Sequence, residues 1–252
     1  MSMQGRVLIV AGSDSGGGAG IQADIKTVTA LRGFAMTAVT ALTAQNTKGV
    51  FGVVGIEPSF IAEQMRVVLD DLGADAIKTG MLHNSAVITA VSDVIEAHAA
   101  GLPVVVDPVM FAKGGHPLLE PEAMTALKER LLPLASVVTP NIPEAEALTG
   151  MKINGVKDMA DVAETLAKMG ATAVLLKGGH LTGEMLSDIL YVGNEVHRWE
   201  DTRIDTPHTH GTGCTMASAI ATGLAQGMSM RDAVARSRAY VRTAILQAPG
   251  YG

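Results

Sequence analysis

The sequence predicts an α/β fold in which a mainly parallel sheet is covered by helices on both faces. Short runs of Val, Ile and Leu alternate along the chain with amphipathic helical patterns, as in sheets that are buried on both sides. Of the 252 residues, 48% are hydrophobic but only 3% are aromatic, which suits helices packed on a sheet better than a β-sandwich. No linker, low-complexity tract or repeat interrupts this alternation, so we predict a single domain over residues 1–252.

The individual elements follow from the spacing of apolar residues. Continuous apolar or β-branched runs predict strands at 6–12, 34–45, 75–82, 102–110, 136–141 and 171–180. Apolar residues three and four positions apart predict helices at 19–33, 58–72, 84–100, 121–132, 143–150, 158–169 and 229–245. We expect the first helix to end with a cap at Gly33. The arginines of the helix at 229–245 are expected to form a solvated face.

Two further segments have strand character. Residues 49–57 either pair with the strand at 34–45 or form a small side sheet. Residues 186–192 and 195–201 are expected to form a hairpin that turns at Gly193-Asn194, because both residue types tolerate the positive φ angles of a tight hairpin turn.

Charge and cysteine content exclude several classes of protein. The net charge of -6 argues against a nucleic-acid binder, which needs a basic face. Helix N-termini or a metal ion could still hold a small anion. A single cysteine excludes an internal disulfide framework and favours a reducing compartment, and the histidines lack the spacing of a structural zinc site. The N-terminal apolar run is too short for a signal peptide or a membrane span, so we expect a cytoplasmic protein without a membrane partner.

Polar residues follow the predicted strands. In open parallel sheets, ligands bind beyond the carboxyl ends of the strands. Those ends carry Gly12-Ser13-Asp14, Thr79-Gly80-Met81, Asp107-Pro108, Thr139-Pro140-Asn141 and Lys177-Gly178-Gly179-His180. This recurrence is the strongest physical indication of an active site.

The stretch GTGCT at 211–215 places the only cysteine at the start of a helix behind two glycines. Free backbone amides and the helix dipole make such a turn an anion site. The same field is expected to lower the pKa of the Cys214 thiol. Alternatively, Cys214 is a small packing residue, which is the commoner role for a lone cysteine. Read alone, the stretch favours that second interpretation.

The glycine-rich loop GSDSGGGAG at 12–20 lacks the Gly-Lys-Ser/Thr of a P-loop. Its glycines could let a helix and a substrate ring approach the backbone closely. Asp24 is either a polar contact to the ligand or an ordinary helix-start charge.

Four other residues carry candidate chemistry. Asn141 and Glu144 could hold a hydrated Mg²⁺ or simply form a capping arrangement. Asp107 ends an apolar strand and is either capped locally or functional. Lys177 could neutralise phosphate charge or extend to solvent. The segment AKGGHP at 112–117 is either a lid hinge or an ordinary loop.

Taken together, these motifs resemble the ribokinase-type small-molecule kinases, and more narrowly the hydroxymethylpyrimidine/phosphomethylpyrimidine kinases of thiamine biosynthesis. The resemblance implies a three-layer α/β/α fold and runs in family order over nearly the whole chain. Its motifs are AGSDSGGGAGIQADIKT (11–27), TALTAQNT (40–47), KTGML (78–82), DPVM (107–110), LLPLASVVTPNIPEAEAL (131–148), KGGH (177–180) and THGTGCT (209–215).

The resemblance implies a reaction and an acceptor site. ATP would phosphorylate the hydroxymethyl group of 4-amino-5-hydroxymethyl-2-methylpyrimidine and then the monophosphate. Gln45 would bind the aminopyrimidine edge, and Gly12, Asp24 and Met81 would help to line its pocket.

The resemblance also assigns the phosphate side. Gly211, Thr212, Gly213 and Cys214 would form the anion hole, with Cys214 in place of the aspartate of most ribokinase relatives. Asp107 and Glu144 would serve Mg²⁺ and its waters. Lys177, Asn141 and His210 would serve the nucleotide. A monovalent cation could also bind. A homodimer is expected from the family and from the apolar 34–56 region. Relatives commonly continue with a Gly-Pro-Val-x-His-like tail, whereas this chain ends in APGYG, and this departure bears on one wall of the nucleotide site.

Two other functions compete with this one. A pyridoxal kinase of the same branch can have the same Gly-Thr-Gly-Cys turn. A non-catalytic sensor would bind the pyrimidine or the nucleotide without turnover.

Overall fold

The structure, a computed structural model, describes residues 5–111 and 118–251. Its strands are β1 (Arg6–Ala11), β2 (Phe34–Val39), β3 (Ala41–Asn46), β4 (Gly49–Gly55), β5 (Ala76–Thr79), β6 (Val104–Val106), β7 (Val137–Val138), β8 (Ala173–Lys177), β9 (Met185–Val192) and β10 (Glu195–Thr202). Its α-helices are α1 (Gly20–Ala30), α2 (Pro58–Asp71), α3 (Ser85–His98), α4 (Ala123–Ala126), α5 (Ile142–Thr149), α6 (Val156–Lys168), α7 (Thr212–Ala225) and α8 (Met230–Leu246). A π-helical turn (Leu127–Leu131) and a 3-10 turn (Leu132–Leu134) follow α4.

The main sheet has eight strands in the order β10-β9-β8-β7-β6-β5-β1-β2. Six adjacent strands pair in parallel, in the order β8, β7, β6, β5, β1 and β2. The strand β9 pairs antiparallel with both of its neighbours, β8 and β10. The two remaining strands, β3 and β4, form a separate antiparallel sheet. The predicted side sheet is therefore present, and the mainly parallel central sheet is confirmed.

Alternation along the central strands divides the core into two layers. Leu8 and Val10 of β1 point into a core shared with α2, α3, α5 and α6. Val7 and Ile9 point the other way, into a core shared with α1, α7 and α8. Because successive strand residues face opposite sides of a sheet, a continuous apolar strand requires a helical layer on each face. The predicted three-layer α/β/α architecture is confirmed.

The predicted strand at 34–45 is wrong as a single element. It divides at Thr40, whose N–H donates to Ala11 O (3.0 Å) and whose hydroxyl donates to Met81 O (2.6 Å). These bonds hold Thr40 at the carboxyl edge of the main sheet, and the chain then leaves for the side sheet. A uniform β-branched pattern does not reveal this change of sheet.

The prediction of a cap at Gly33 is correct in part. The helix α1 ends at Ala30, and Arg32, not Gly33, takes the left-handed conformation with φ 67°. Gly33 N–H donates to Val28 O at 2.8 Å and so caps a carbonyl of the last turn. An added Cβ on Gly33 would lie 2.8 Å from Val28 Cγ1, so packing also favours glycine here.

The arginines of α8 are not simply a solvated face. The side chain of Arg238 is 9% exposed and pairs with Asp188 and Asp201 at 2.8 Å each. Arg236 donates to Gln226 Oε1 (2.7 Å). The prediction of a wholly solvated arginine face is wrong because two acidic residues of the adjacent hairpin cover this helix.

The hairpin of β9 and β10 is confirmed, with φ 59° at Gly193 and 64° at Asn194. Within the described ranges, the structure contains no helix that is both long and apolar enough to cross a bilayer.

Candidate active site

The carboxyl ends of β1, β5, β6, β7 and β8 lie side by side at one edge of the main sheet. This order brings together the polar segments that follow those strands. The N-terminus of α7 lies at the same edge, because an added Cβ on Gly213 would be 3.3 Å from Lys177 Nζ and 3.8 Å from Asp107 Oδ2. The structure therefore joins segments that are up to 200 positions apart in the sequence.

Asp14 organises the glycine-rich loop. Its buried carboxylate accepts the N–H groups of Gly16 (2.8 Å), Gly18 (3.1 Å) and Ala19 (2.8 Å), and it lies 2.8 Å from His210 Nε2. Burial raises the pKa of Asp14, but the bonds from His210 and the amides outweigh it, so the net pKa is lowered. The carboxylate thus joins the loop to the residue before the 211–214 turn.

Gly18 and Gly211 pack backbone against backbone. An added Cβ on Gly211 would lie 1.7 Å from Gly18 O, and Gly211 has φ 78°. Both the contact and the left-handed conformation require glycine at this position. Gly211 is the N-cap of α7 and supplies no side-chain cap, so the amides of Gly213 and Cys214 are first-turn donors without intrahelical partners. The predicted anion-binding geometry is present at this turn.

Cys214 lies beside several charges. Burial raises the pKa of its thiol to about 11, with further upward contributions from Asp24 and Asp107, whereas Lys78 and a hydrogen bond from the Gly20 backbone act in the opposite direction. The expected lowering of the Cys214 pKa is therefore wrong. A helix N-terminus favours thiolate, but here burial and two nearby carboxylates dominate.

Asp107 and Lys177 form the charged centre of the edge. Lys177 Nζ lies 3.3 Å from Asp107 Oδ1, and Thr139 Oγ1 donates to the same oxygen at 3.2 Å. Burial lowers the pKa of Lys177, but Asp107 and Glu144 outweigh it and the net pKa is raised. Lys177 therefore stays a cation next to the 211–214 turn and does not extend to solvent.

Asn141 and Glu144 form a capping box at the start of α5. Glu144 N–H donates to Asn141 Oδ1 (3.0 Å), and Asn141 N–H donates to Glu144 Oε2 (2.8 Å). Glu144 Oε1 also accepts Met110 N–H at 3.3 Å. Burial raises the pKa of Glu144, and the field of Lys177 opposes this effect. The capping interpretation is confirmed, and the buried carboxylate remains beside the Asp107–Lys177 pair.

These donors fit a magnesium ion that is held largely by phosphate. Mg²⁺ prefers oxygen ligands, keeps several waters and commonly takes one or two protein carboxylates with substrate phosphates. Asp107 and Glu144 supply two carboxylates beside a phosphate-sized anion site. Over residues 5–111 and 118–251, no group of three or more His, Cys, Asp or Glu side chains could hold a metal unaided.

The structure places Asp24 below the surface of the site. Asp24 is 0% exposed; its Oδ2 pairs with Lys78 Nζ (2.8 Å) and its Oδ1 accepts the Ser218 hydroxyl (2.7 Å). Lys78 is equally buried, and its pKa is raised because Asp24, Cys214 and Asp107 outweigh burial. Asp24 therefore does not line the ligand pocket; it holds Lys78 charged below Cys214.

Sequence reasoning missed Lys78, as it missed Asp14. A cation inside a four-residue buried strand was the available signal for Lys78. For Asp14, the signal was an aspartate followed by Gly16, Gly17 and Gly18, whose amides a carboxylate could bind.

Gly12 and Met81 are neighbours just beyond the ends of β1 and β5, and Gln45 was expected to join them in an acceptor pocket. Met81 Sδ is 3.2 Å from an added Cβ on Gly12, and Met81 lines a cavity of about 400 Å³ below β4. Gln45 lies on β3, where its Oε1 accepts the Thr43 hydroxyl at 3.3 Å, and Thr43 also donates to Ser13 O. The cavity is further lined by Val50, Phe51, Gly52, Val53, His83, Leu118, Leu119, Glu120 and Pro121.

The expected lid hinge at 112–117 lies outside the described residues. Just before it, Val109 has φ 33°, an uncommon conformation for a β-branched residue. Met110 O accepts Leu118 N–H at 2.9 Å, which fixes the start of the segment after 117.

Comparisons with known proteins agree with this geometry. The phosphomethylpyrimidine kinase family model matches residues 14–252. The chain belongs to this family. It is 52% identical over 99% of its length to a thiamine biosynthesis bifunctional protein of Geobacter sulfurreducens, of which it spans 51%. It is 47% identical to a hydroxymethylpyrimidine/phosphomethylpyrimidine kinase of Rhizobium meliloti, with 94% of this chain and 89% of that protein covered.

Solved structures of two kinases have the same fold. Phosphomethylpyrimidine kinase from Clostridium difficile superposes with a TM-score of 0.85 at 43% identity, covering 95% of this chain and 99% of that chain. An ADP complex of Bacillus subtilis pyridoxal kinase gives a TM-score of 0.89 at 39% identity, covering 96% and 92%. The family, the kinase class and the ribokinase-like fold predicted from the sequence are confirmed.

Proposed function

We propose that this chain transfers the γ-phosphoryl group of ATP to the hydroxymethyl oxygen of 4-amino-5-hydroxymethyl-2-methylpyrimidine, and then phosphorylates the monophosphate. Family membership supports this acceptor class. The observation that carries the proposal is the 211–214 turn, whose open amides lie beside Lys177 and Asp107. The glycine loop joins this turn to the acceptor side at Gly12.

The acceptor lies on the side of β1, β3 and β5. Gln45 hydrogen-bonds the aminopyrimidine edge, and Gly12 and Met81 lie against the ring. Asp24 acts indirectly, because its carboxylate is used by Lys78 and Ser218. These contacts direct the hydroxymethyl group towards Cys214.

The transferring phosphoryl group is stabilised at the 211–214 turn. The amides of Gly213 and Cys214 and the ammonium of Lys177 act on the charge of its oxygens. A new bond forms between the acceptor oxygen and γ-phosphorus while the bond to the bridging oxygen of ADP breaks. Because the transition state is loose, the acceptor hydroxyl needs little prior deprotonation. Cys214 is a thiol at neutral pH, so it positions the hydroxyl, whose proton passes to an oxygen of the transferred phosphoryl group, and from there to water, after the bond has formed.

Asp107 and Glu144, with Asn141 at the same edge, would hold Mg²⁺ and its waters. When bound, the ion would neutralise phosphate charge. His210 is engaged by Asp14, so it serves the nucleotide by supporting the turn. A monovalent cation stays a prediction, as does a cytoplasmic location.

Cys214→Ala tests the proposed site. We expect turnover to fall about 100-fold, a typical effect of losing one group at a reacting centre, with the pyrimidine Kd changed less than threefold. Turnover and calorimetric binding are the measurements. Unchanged turnover would reduce the thiol to a packing residue.

Pyridoxal kinase activity is the competing assignment, because solved pyridoxal kinases share this fold. Turnover should be measured for both alcohols with ATP and Mg²⁺, and a higher kcat/KM for pyridoxal would overturn the proposed acceptor. ADP formation with either alcohol would exclude a non-catalytic sensor.

The predicted homodimer belongs to this proposal. Apolar side chains are exposed on the side sheet and on α2, including Phe51 (73%), Val54 (64%) and Phe60. Exposed apolar surface of this kind is typical of protein contacts, and a second copy of the chain is the proposed partner.

A further inference from the structure

A buried ion-pair cluster lies behind the phosphate side of the site, on residues that take no direct part in the proposed reaction. Arg238 of α8 contacts two carboxylates, Asp188 Oδ2 and Asp201 Oδ2, each at 2.8 Å. Its guanidinium also lies 5.6 Å from the ring centre of Trp199, within the range of a cation–π contact. Asp188 is 3% exposed. A buried carboxylate without a paired cation is costly, and Arg238 is the cation that pairs with Asp188.

The second oxygen of Asp188 reaches the active-site edge. Asp188 Oδ1 accepts the N–H of Gly178 at 3.0 Å, and Gly178 directly follows Lys177. An added Cβ on Gly178 would lie 1.9 Å from Ser187 O, so the backbones of the turn and of β9 are in close contact. Asp188 is also the register partner of Lys177 across β8 and β9.

The backbone at Lys177 and Gly178 is thereby held from both sides. On the β7 side, Lys177 N–H donates to Pro140 O at 2.9 Å. On the β9 side, Gly178 N–H donates to Asp188. Between these two anchors, the Lys177 side chain leaves the sheet towards Asp107 and Gly213. The direction of Lys177 therefore depends on where Asp188 holds Gly178.

We propose that the Asp188–Arg238 pair is a positioning device for Lys177, acting through the Gly178 amide. Arg238 keeps Asp188 in place through their ion pair, Asp188 fixes Gly178, and Gly178 sets the course of the Lys177 side chain at the phosphate-transfer site. This inference rests on the proposed function of Lys177. Neither Asp188 nor Arg238 touches substrate.

The position of the cluster predicts which substrate is affected. In the sheet, β8 is separated from β5 and β1, which carry the acceptor side, by β7 and β6. Losing the pair should therefore act on the nucleotide and on turnover, and only weakly on pyrimidine binding.

Arg238→Met is the main test, and Arg242→Met is its matched control. Arg242 lies one turn further along α8 and donates to Thr202 O at 2.8 Å. It also lies 3.9 Å from Asp201 Oδ1, so it shares the outer carboxylate of the cluster but makes no bond to Asp188. A displaced catalytic group can cost up to about 100-fold in rate. We expect Arg238→Met to lower kcat/KM for ATP at least roughly tenfold, with the pyrimidine Kd changed less than twofold. Arg242→Met should change both less than twofold.

The double variant Asp188→Asn/Arg238→Met guards against unfolding, because it leaves no unpaired buried charge. The asparagine side chain at position 188 still has an oxygen that can accept the Gly178 N–H, so the double variant should regain most of the kcat/KM that Arg238→Met loses. A double variant no better than Arg238→Met, or an Arg242→Met variant equally impaired, would overturn the inference.

Hydrogen exchange separates this inference from the proposed reaction. Amides of the peptide spanning 176–181 should exchange at least about fivefold faster in Arg238→Met than in Arg242→Met, since a lost tether frees the Gly178 amide. Equal exchange rates in the two variants would show that Arg238 does not hold the hydrogen bond between Asp188 and Gly178 in place, even if the parent chain is an active kinase. Faster exchange together with no phosphoryl transfer by the parent chain would refute the proposed reaction alone.

Discussion

At the scale of single residues, the pKa of the Cys214 thiol is set by its burial and by the charged groups around it. Its pKa of about 11 leaves roughly one thiolate in 10⁴ molecules at pH 7. The sequence correctly indicated the helix start and the glycine turn around it. It could not indicate the burial, because Asp24, Lys78 and Asp107 approach this thiol from three other elements.

The pKa of Cys214 predicts its pH-dependent labelling. Because the thiolate is the reactive form, the rate of iodoacetamide labelling should rise about tenfold per pH unit and level off only near pH 11. Mass spectrometry can follow the reaction without ambiguity, since Cys214 is the only cysteine. The Cys214→Ser variant gives the background. A plateau near pH 8.5 would show that the thiol behaves as an unperturbed one.

Replacing Gln45 should weaken pyrimidine binding more than turnover, the reverse of the effect expected for Cys214→Ala. The Gln45→Ala variant should raise the pyrimidine KM about tenfold, as expected for one lost polar contact to a buried ligand, with kcat lowered less than threefold. Steady-state kinetics with varied pyrimidine measure both constants. Gln64→Ala is a suitable comparison, because Gln64 bonds the backbone of Val39 away from the site. A kcat effect larger than the KM effect would move Gln45 to the reacting centre.

At the scale of elements, the glycine-rich loop and the 211–214 turn behave as one unit. Asp14 binds three loop amides and His210. Removing a buried acceptor leaves its donors unpaired at about 1–3 kcal/mol each.

Asp14→Ala should therefore lower the free energy of unfolding by about 2 kcal/mol or more and lower kcat. Urea denaturation and turnover are the measurements. His210→Gln keeps a donor towards Asp14, so it should be much milder than His210→Leu. Equal effects of these two His210 variants would show that the bond to Asp14 is unimportant.

Element boundaries show where sequence reasoning works and where it fails. The continuous apolar run of β1 and the Gly193-Asn194 turn were predictable, because local patterns determine them. The division at Thr40 and the burial of Arg238 were not, because each depends on a contact with a distant segment. The same distinction holds in the site. Asp107 and Lys177 directly follow or end their own strands and were found. Lys78 was missed because its partner Asp24 lies on another element, whereas the amides next to Asp14 were a local signal that was not used.

At the scale of the whole molecule, the side sheet has two roles. Its strands line the cavity at Met81 through Val50 and Val53, and Leu42 and Val54, which do not line that cavity, are exposed. A partner subunit that covers these two side chains would also stiffen the wall of the cavity.

This arrangement predicts linked changes in assembly and substrate binding. The parent chain should sediment as a dimer at micromolar concentration, and Val54→Asp, at an exposed position outside the cavity lining, should sediment as a monomer with a higher pyrimidine KM. Analytical ultracentrifugation and kinetics measure the two effects. Arg66→Asp, a charge change on the exposed surface of α2, serves as the comparison. A monomeric parent chain would contradict the predicted homodimer.

The contact between Gly18 and Gly211 also limits how this protein can change. An added Cβ on Gly211 would lie only 1.7 Å from Gly18 O, so even a methyl group cannot be accommodated unless the backbone moves. Any substitution of Gly211 therefore requires the backbone to move. Directed evolution towards new acceptor alcohols should diversify β3 and β4 and leave this pair of glycines untouched.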